Sequence, residues 1–156
     1  MVTQEQMRSF KDIGTSGPDE VFAVTPEDMV RFESADLPYM IADRKMRYEK
    51  EKGLRSKPAY EQLEEDCQIS TTSMKKSMNG TQKITRTFLY KLCVGLHMGV
   101  DEANEFFRRC GGVLKEDHPG DFICLRALLD GDTIYEFIDQ YEEYMHERIG
   151  LRERRG

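Results

Sequence analysis

Apolar residues recur every three or four positions along most of this chain, which is the spacing of amphipathic helices. One apolar stripe runs from Phe88 to Leu96, and another runs from Ile134 to Met145. No long segment alternates apolar and polar residues in the way that a half-buried strand does. The pattern therefore predicts an all-α protein.

Capping residues divide this pattern into separate helices, because Ser, Thr and Asp favour helix starts and Gly favours helix ends. Asp36 and Gly53 bracket a helix over residues 38–52, and a short helix follows over 58–67. Ser70 is a favourable N-cap for a helix over 71–78, which Asn79-Gly80 closes. Four further helices are predicted over residues 86–98, 101–109, 122–130 and 134–149.

The chain divides into three parts by composition. Residues 1–36 contain a Gly- and Ser-rich turn at 14–18 and are interpreted as an N-terminal arm or accessory helix. Residues 37–112 are predicted to form a central helical domain, and residues 113–156 a C-terminal helical extension. The apolar stripes after residue 120, including that of the last helix, fit three roles: part of the core, the surface of a homodimer, or a groove for a partner.

Charge is distributed unevenly. The net charge is −6, which argues against a generic nucleic-acid binder. From Gln68 to Val100, however, the chain has five Lys or Arg residues and no Asp or Glu. Residues 101–148 have five basic and thirteen acidic residues, so this segment carries −8. The charge of residues 68–100 favours binding to a polyanion, and we expect residues 101–148 to face away from that polyanion.

Several classes of protein are excluded by what the chain lacks. Its apolar runs are too short for a membrane span and its first ten residues do not resemble a signal peptide, so we expect a cytoplasmic protein without a membrane partner. No phosphate-binding glycine motif, histidine cluster or metal-ligand spacing is present, so we expect no enzyme activity, cofactor or metal. Cys110, beside Arg108 and Arg109, is either a reactive thiol or a buried structural one. The wide separation of the four cysteines argues against a zinc ribbon or a disulfide scaffold: Cys67, Cys93, Cys110 and Cys124.

A short helix, a tight turn and an acid-poor helix follow one another between Ala59 and Gly80. These residues match a known motif position by position. Leu63 matches its buried leucine and Ile69-Ser70 its turn. Met74 matches its inward aliphatic residue and Asn79-Gly80 its helix end. Ile84-Thr85 and Val100-Asp101-Glu102 continue the match. Residues 38–110 thereby resemble the lambda-repressor-like (Xre-type) helix-turn-helix family. Residues 121–144 resemble, more weakly, small bacterial members that carry two additional helices.

This resemblance implies a five-helix helix-turn-helix domain with an N-terminal arm and a C-terminal helical pair. It also implies a bacterial transcriptional regulator that binds double-stranded DNA through helix 71–78, with a homodimer through the C-terminal helices as a further expectation. The positions that would face base edges are Thr71, Thr72 and Lys76. The positions that would approach phosphates are Tyr60, Ser70, Ser73, Lys75, Asn79, Gln82, Lys83 and Arg86.

Several residues depart from the family pattern. Ile84 replaces a proline, and the first motif helix is acidic, where DNA-binding members are often neutral or basic, through Glu61, Glu64, Glu65 and Asp66. Tyr60 stands where the family has a glutamine that touches phosphate, and its hydroxyl is still a donor. Glu64 stands where the family has alanine, so its carboxylate must point outward or pair, for which Lys75 and Lys76 are candidates. Ser77 replaces a buried aliphatic residue and weakens the core of the helix.

A second function fits the same scaffold. A non-catalytic protein-interaction adaptor without DNA binding would hold a protein partner through its acidic C-terminal helices, and its basic residues would be a solvated surface. The two functions differ in a measurable way, because only a DNA-binding protein shows salt-dependent affinity for a duplex.

Overall fold

The computed structural model describes Val2 and residues 26–151, and the side chains of the first described helix only from residue 37 onward. This part of the chain is helical without a strand, which confirms the all-α prediction. The arm predicted over residues 1–36 lies largely outside the described residues, and the division at residues 112 and 113 stays a prediction. The helices are α1 (Pro26–Lys52), α2 (Ser56–Cys67), α3 (Thr71–Met78), α4 (Arg86–Gly95), α5 (Val100–Phe107), α6 (Pro119–Asp130) and α7 (Ile134–Met145).

The prediction that Asp36 caps a new helix is wrong, because α1 continues from Pro26 through Pro38 to Lys52. Pro38 has no N–H group, so the helix lacks one backbone hydrogen bond at this point. Leu37 and Ile41, on either side of Pro38, are both buried in the core. Their packing offsets the cost of a proline inside the helix.

Two short helices are joined by three residues, as the capping pattern predicts. Gln68 ends α2 in a left-handed conformation, with φ of 55°, and turns the chain. The Ser70 hydroxyl then accepts a hydrogen bond from the backbone N–H of Ser73, at 3.1 Å, and begins α3. The bounds of α3 agree with the predicted helix over 71–78.

Helix α4 lies at the centre of the fold, where it packs against α2, α5, α6 and α7. It ends at Gly95, three residues earlier than predicted. A Cβ atom on Gly95 would lie 2.6 Å from the Cα atom of Cys67, so only glycine permits this close approach of α4 to α2.

Helices α6 and α7 have caps that shift their predicted bounds. The ring Nδ1 of His118 accepts a hydrogen bond from the backbone N–H of Asp121, at 3.1 Å, so α6 begins at Pro119 and not at residue 122. Thr133 and Glu136 form a capping box at the start of α7. His146 has φ of 56° and ends α7 at Met145, ahead of the predicted residue 149.

The core contains an aromatic cluster that joins α4 to α5 and α7. The ring of Tyr90 lies 5.6 Å from that of Phe107, 6.2 Å from that of Phe137 and 5.7 Å from that of Tyr141. The apolar stripe of α7 is therefore buried within the chain, which is the core role among those that the sequence allows. Its buried members are Ile134, Phe137, Ile138 and Tyr141.

Candidate functional site

Helix α3 has one face buried and one face exposed. Met74 and Ser77 point into the protein. At 100° per residue, the opposite side gathers four polar residues within an arc of about 100°. We call this surface the α3 face, and its exposed members are Thr72, Lys75, Lys76 and Asn79. Thr71 and Ser73, on its two flanks, are half-buried.

Tyr60 of α2 supports the α3 face from the side. The ammonium groups of Lys45 and Lys75 lie 4.0 Å and 5.1 Å from the centroid of its ring, so both cations interact with its π-system. Burial, with a smaller contribution from Glu49, raises the pKa of the Tyr60 hydroxyl, which therefore stays protonated and remains a donor at neutral pH. The contact between Lys45 and Tyr60 could not be predicted from the sequence, because no local pattern connects residues fifteen positions apart on two helices.

The start of α3 carries an acidic partner. The Oε2 atom of Glu64 accepts a hydrogen bond from the backbone N–H of Thr71, at 2.7 Å. This bond satisfies one of the free N–H groups of α3 and gives Glu64 the partner that its position requires. The same carboxylate reduces the positive potential at this helix end, because helix N-termini attract anions through their exposed N–H groups.

The loop after α3 continues the polar surface. The side-chain oxygen of Asn79 accepts hydrogen bonds from the backbone N–H and the hydroxyl of Thr81, at 3.1 Å and 2.7 Å. Gln82 is half-buried and Lys83 is exposed. The loop is therefore held in place by its own hydrogen bonds, with Lys83 free to extend the charge of the α3 face.

Arg86 is engaged inside the protein. Its Nε and Nη2 atoms lie 3.2 Å and 2.7 Å from the carboxylate oxygens of Asp121, and its Nη1 donates to the carbonyls of Cys110 and Gly112. Burial opposes the charge of Arg86, but its bonds to Asp121 outweigh this effect and raise its pKa. This arrangement disfavours a phosphate contact by Arg86.

Cys110 has the features of a structural thiol. Its Sγ atom lies 3.7 Å from the carbonyl oxygen of Ile84, to which the thiol donates. Burial raises the pKa of Cys110, against the opposing charges of Arg86 and Lys83. The reading of Cys110 as a reactive thiol is therefore disfavoured, because the thiolate is the nucleophilic form.

Two basic residues of α1, Arg44 and Arg47, are also partnered. Arg44 is buried, and its Nε atom lies 3.2 Å from the carboxylate of Glu102 in α5, which also pairs with Arg47. These contacts join α1 to α5, so Arg44 and Arg47 do not enlarge the positive surface around α3.

Among residues 26–151, none of the helices combines the length and the apolar character that crossing a bilayer requires. No protein-family model, curated protein or solved structure matches this chain.

Proposed function

We propose that this protein is a bacterial transcriptional regulator that binds duplex DNA through α3. The observation that carries the proposal is the α3 face, an exposed group of Thr, Lys and Asn side chains on a helix without an acidic residue. The major groove of B-form DNA is wide enough for an α-helix and presents donors and acceptors that such side chains can bind. The resemblance to the lambda-repressor-like family supports the same assignment.

Within this proposal the residues divide by role. Thr71, Thr72 and Lys76 contact base edges from the first turns of α3. Tyr60, Lys75 and Lys83 approach the phosphates with protonated donors, assisted by the polar residues Ser70, Ser73, Asn79 and Gln82. Each neutralised phosphate releases counterions, so the lysines supply most of the non-specific affinity. Arg86 is left out, because its guanidinium is already bound to Asp121.

The proposed helix-turn-helix domain consists of α2 to α5 with the second half of α1. The acidic helices α6 and α7 then face away from the DNA, because a negative surface near the duplex would be repelled. A two-fold symmetric operator requires a dimer, and we propose that the protein binds DNA as a homodimer in the bacterial cytoplasm.

A protein-interaction adaptor is the second candidate, and the position of Glu64 favours it. A carboxylate 2.7 Å from the N–H of Thr71 places negative charge at the end of α3 that a phosphate would approach. In this function the α3 face is only a solvated surface. Affinity for duplex DNA would then be absent, whatever the salt concentration.

The decisive test is the salt dependence of duplex binding by a charge-matched pair of variants. Fluorescence anisotropy with a pool of random duplexes, between about 50 and about 200 mM salt, measures the slope of log affinity against log salt. In the double variant Lys75→Ala/Lys76→Ala, we expect weaker binding and a slope reduced by about 0.9, since Lys75 contacts a phosphate and each phosphate contact contributes roughly 0.9. A reduction of about 1.8 would mean that Lys76 also contacts a phosphate.

The matched control is Lys50→Ala/Lys115→Ala, which removes the same charge from exposed positions outside α2 and α3. We expect this variant to keep the wild-type slope. Equal slopes for all three proteins would overturn the assignment of α3, and absence of binding by the wild type would favour the adaptor. Selection from random duplexes with Thr72→Ala then tests base reading, where a good contact is worth about 1–3 kcal/mol.

A further inference from the structure

The chain folds back after α7 and returns toward the turn between α2 and α3. His146 reverses the backbone, and we call residues 146–150 the C-terminal strap. The Glu142 carboxylate oxygen Oε2 accepts hydrogen bonds from the backbone N–H groups of Ile149 and Gly150, at 2.7 Å and 2.9 Å. The Ile149 side chain is buried in the core. The strap is therefore fixed against α7 by both polar and apolar contacts.

Lys91 of α4 connects this strap to the turn that precedes α3. Its ammonium group donates to the carbonyl of Gln68, at 2.7 Å, and to the carbonyl of Ile149, at 2.6 Å. Burial lowers the pKa of Lys91. The two carbonyl oxygens take the place of the water molecules that its ammonium group loses on burial. A lysine in this position holds two backbone segments that lie 81 residues apart.

Gln68 is the residue through which this contact reaches α3. It lies two positions before the Ser70 N-cap and adopts a left-handed conformation, which is unfavourable for a residue other than glycine. Its backbone is held on one side by Lys91, and its side-chain Nε2 donates to the carbonyl of Glu64, at 3.1 Å. The direction in which α3 leaves the turn therefore depends on contacts from α4 as well as from α2.

We infer that Lys91 is a positioning residue, which together with the C-terminal strap fixes the α2–α3 turn and thereby the orientation of the α3 face. The C-terminal extension thus stabilises the geometry of the proposed DNA-binding helix from behind. The consequence for DNA affinity rests on the proposed function, whereas the consequence for the turn itself does not.

Amide hydrogen exchange of the full-length protein without DNA tests the inference directly. Lys91→Met keeps the length of the side chain but removes its donors, and we expect faster exchange at residues 69–74 and 149–150. Lys91→Arg keeps donors at the same place and should restore most of the protection. Ile123→Val, a buried change in α6, is the control for a general loss of stability. The faster exchange caused by Ile123→Val should not be concentrated at the turn between α2 and α3.

Glu142→Gln provides a second route to the same contact, in case Lys91→Met does not fold. It weakens the bonds to Ile149 and Gly150 from α7, so exchange at 69–74 should rise again, by less than in Lys91→Met. Unchanged exchange at the turn in every variant that folds, or a rise equal to that in Ile123→Val, would overturn the inference.

Duplex binding separates this inference from the proposed function. If α3 binds DNA, Lys91→Met should weaken affinity several-fold and leave the salt slope unchanged, because Lys91 neutralises no phosphate. A reduced slope would show that Lys91 acts as a DNA contact and would contradict the positioning role. If the wild type binds no DNA while the turn loosens in Lys91→Met, the proposed function fails and the positioning of the turn stands.

Discussion

Arg86 and Asp121 form a bidentate ion pair that joins the first turn of α4 to the first turn of α6. The two contacts, of 3.2 Å and 2.7 Å, connect residues 35 positions apart. The hydroxyl of Tyr90 and the backbone N–H of Lys115 donate to the same carboxylate, which is buried. Asp121 therefore satisfies donors from α4 and from the loop before α6, and ties the C-terminal helices to the centre of the fold.

Replacing Asp121 with alanine should destabilise the protein strongly. The change leaves the Tyr90 hydroxyl and part of the Arg86 guanidinium buried without their acceptor, and removing one partner of a buried pair costs about 3–5 kcal/mol. Equilibrium unfolding in urea measures this loss. The control is Asp117→Ala, an exposed acid in the loop before α6, for which we expect a change within about 0.5 kcal/mol. A loss below about 1 kcal/mol in Asp121→Ala would contradict the structural role assigned to the pair.

Ser77 should be a weak point of α3 that can be improved. Its hydroxyl is fully buried and has no hydrogen-bond partner among the described residues. A buried polar group without a partner costs about 1–3 kcal/mol, so Ser77→Ala should raise the free energy of unfolding by about 1 kcal/mol. Ser70→Ala should lower it by a similar amount, because the N-cap bond to Ser73 is lost. Thermal unfolding of both variants checks the opposite signs, and a destabilised Ser77→Ala would mean that the hydroxyl has a partner.

Much of the local structure could be predicted from the sequence, because caps act over a few residues. Ser70 caps α3 as predicted, and Thr85 and Thr133 accept the same kind of hydrogen bond at the starts of α4 and α7. The continuation of α1 through Pro38 could not be read in this way, since a proline and a preceding Asp ordinarily indicate a helix start. Here the packing of Leu37 and Ile41 outweighs the local preference.

The candidate site shows the same limit. The exposure of Thr72, Lys75 and Lys76 follows from helical periodicity once Met74 is placed inward. Arg86 pairs with Asp121, which comes near it only in the folded chain. The phosphate contact predicted for Arg86 takes no account of this pair, because the sequence does not show it. Position alone suggested that Glu64 needs a partner, but not that the partner is the backbone of Thr71.

The cysteines should react slowly in the folded protein, with a pH dependence that follows from their raised pKa values. Burial raises the pKa of Cys110 and of the fully buried Cys67, Cys93 and Cys124, so less thiolate is present at a given pH than in a free cysteine. Alkylation followed by mass spectrometry should modify Cys110 first, because it alone of the four is partly exposed. Its rate should still rise with pH where the rate of a free cysteine has already levelled off.

The same raised pKa values determine the direction in which the free energy of unfolding changes with pH. A pKa that is higher in the folded than in the unfolded protein contributes stability that is fully present below the unfolded value and is lost as pH rises through the folded value. We therefore expect the free energy of unfolding to fall at alkaline pH.

Alkylation of Cys110 at neutral pH as fast as in the urea-unfolded chain would contradict the burial of this thiol.

Glu64→Gln should tighten duplex binding if α3 enters a groove. The amide oxygen of glutamine still accepts from the N–H of Thr71, so the start of α3 is kept while one negative charge is removed. A unit charge roughly 8 Å from a phosphate in water contributes about 0.5 kcal/mol, or roughly a twofold gain in affinity at low salt. The gain should disappear as salt rises, because screening shortens the range of the repulsion. Glu61→Gln, an exposed change on the same helix, shows whether the effect belongs to charge in general or to the end of α3. A gain in Glu61→Gln alone would place the duplex against α2, and no gain in either variant would place the DNA away from both helices.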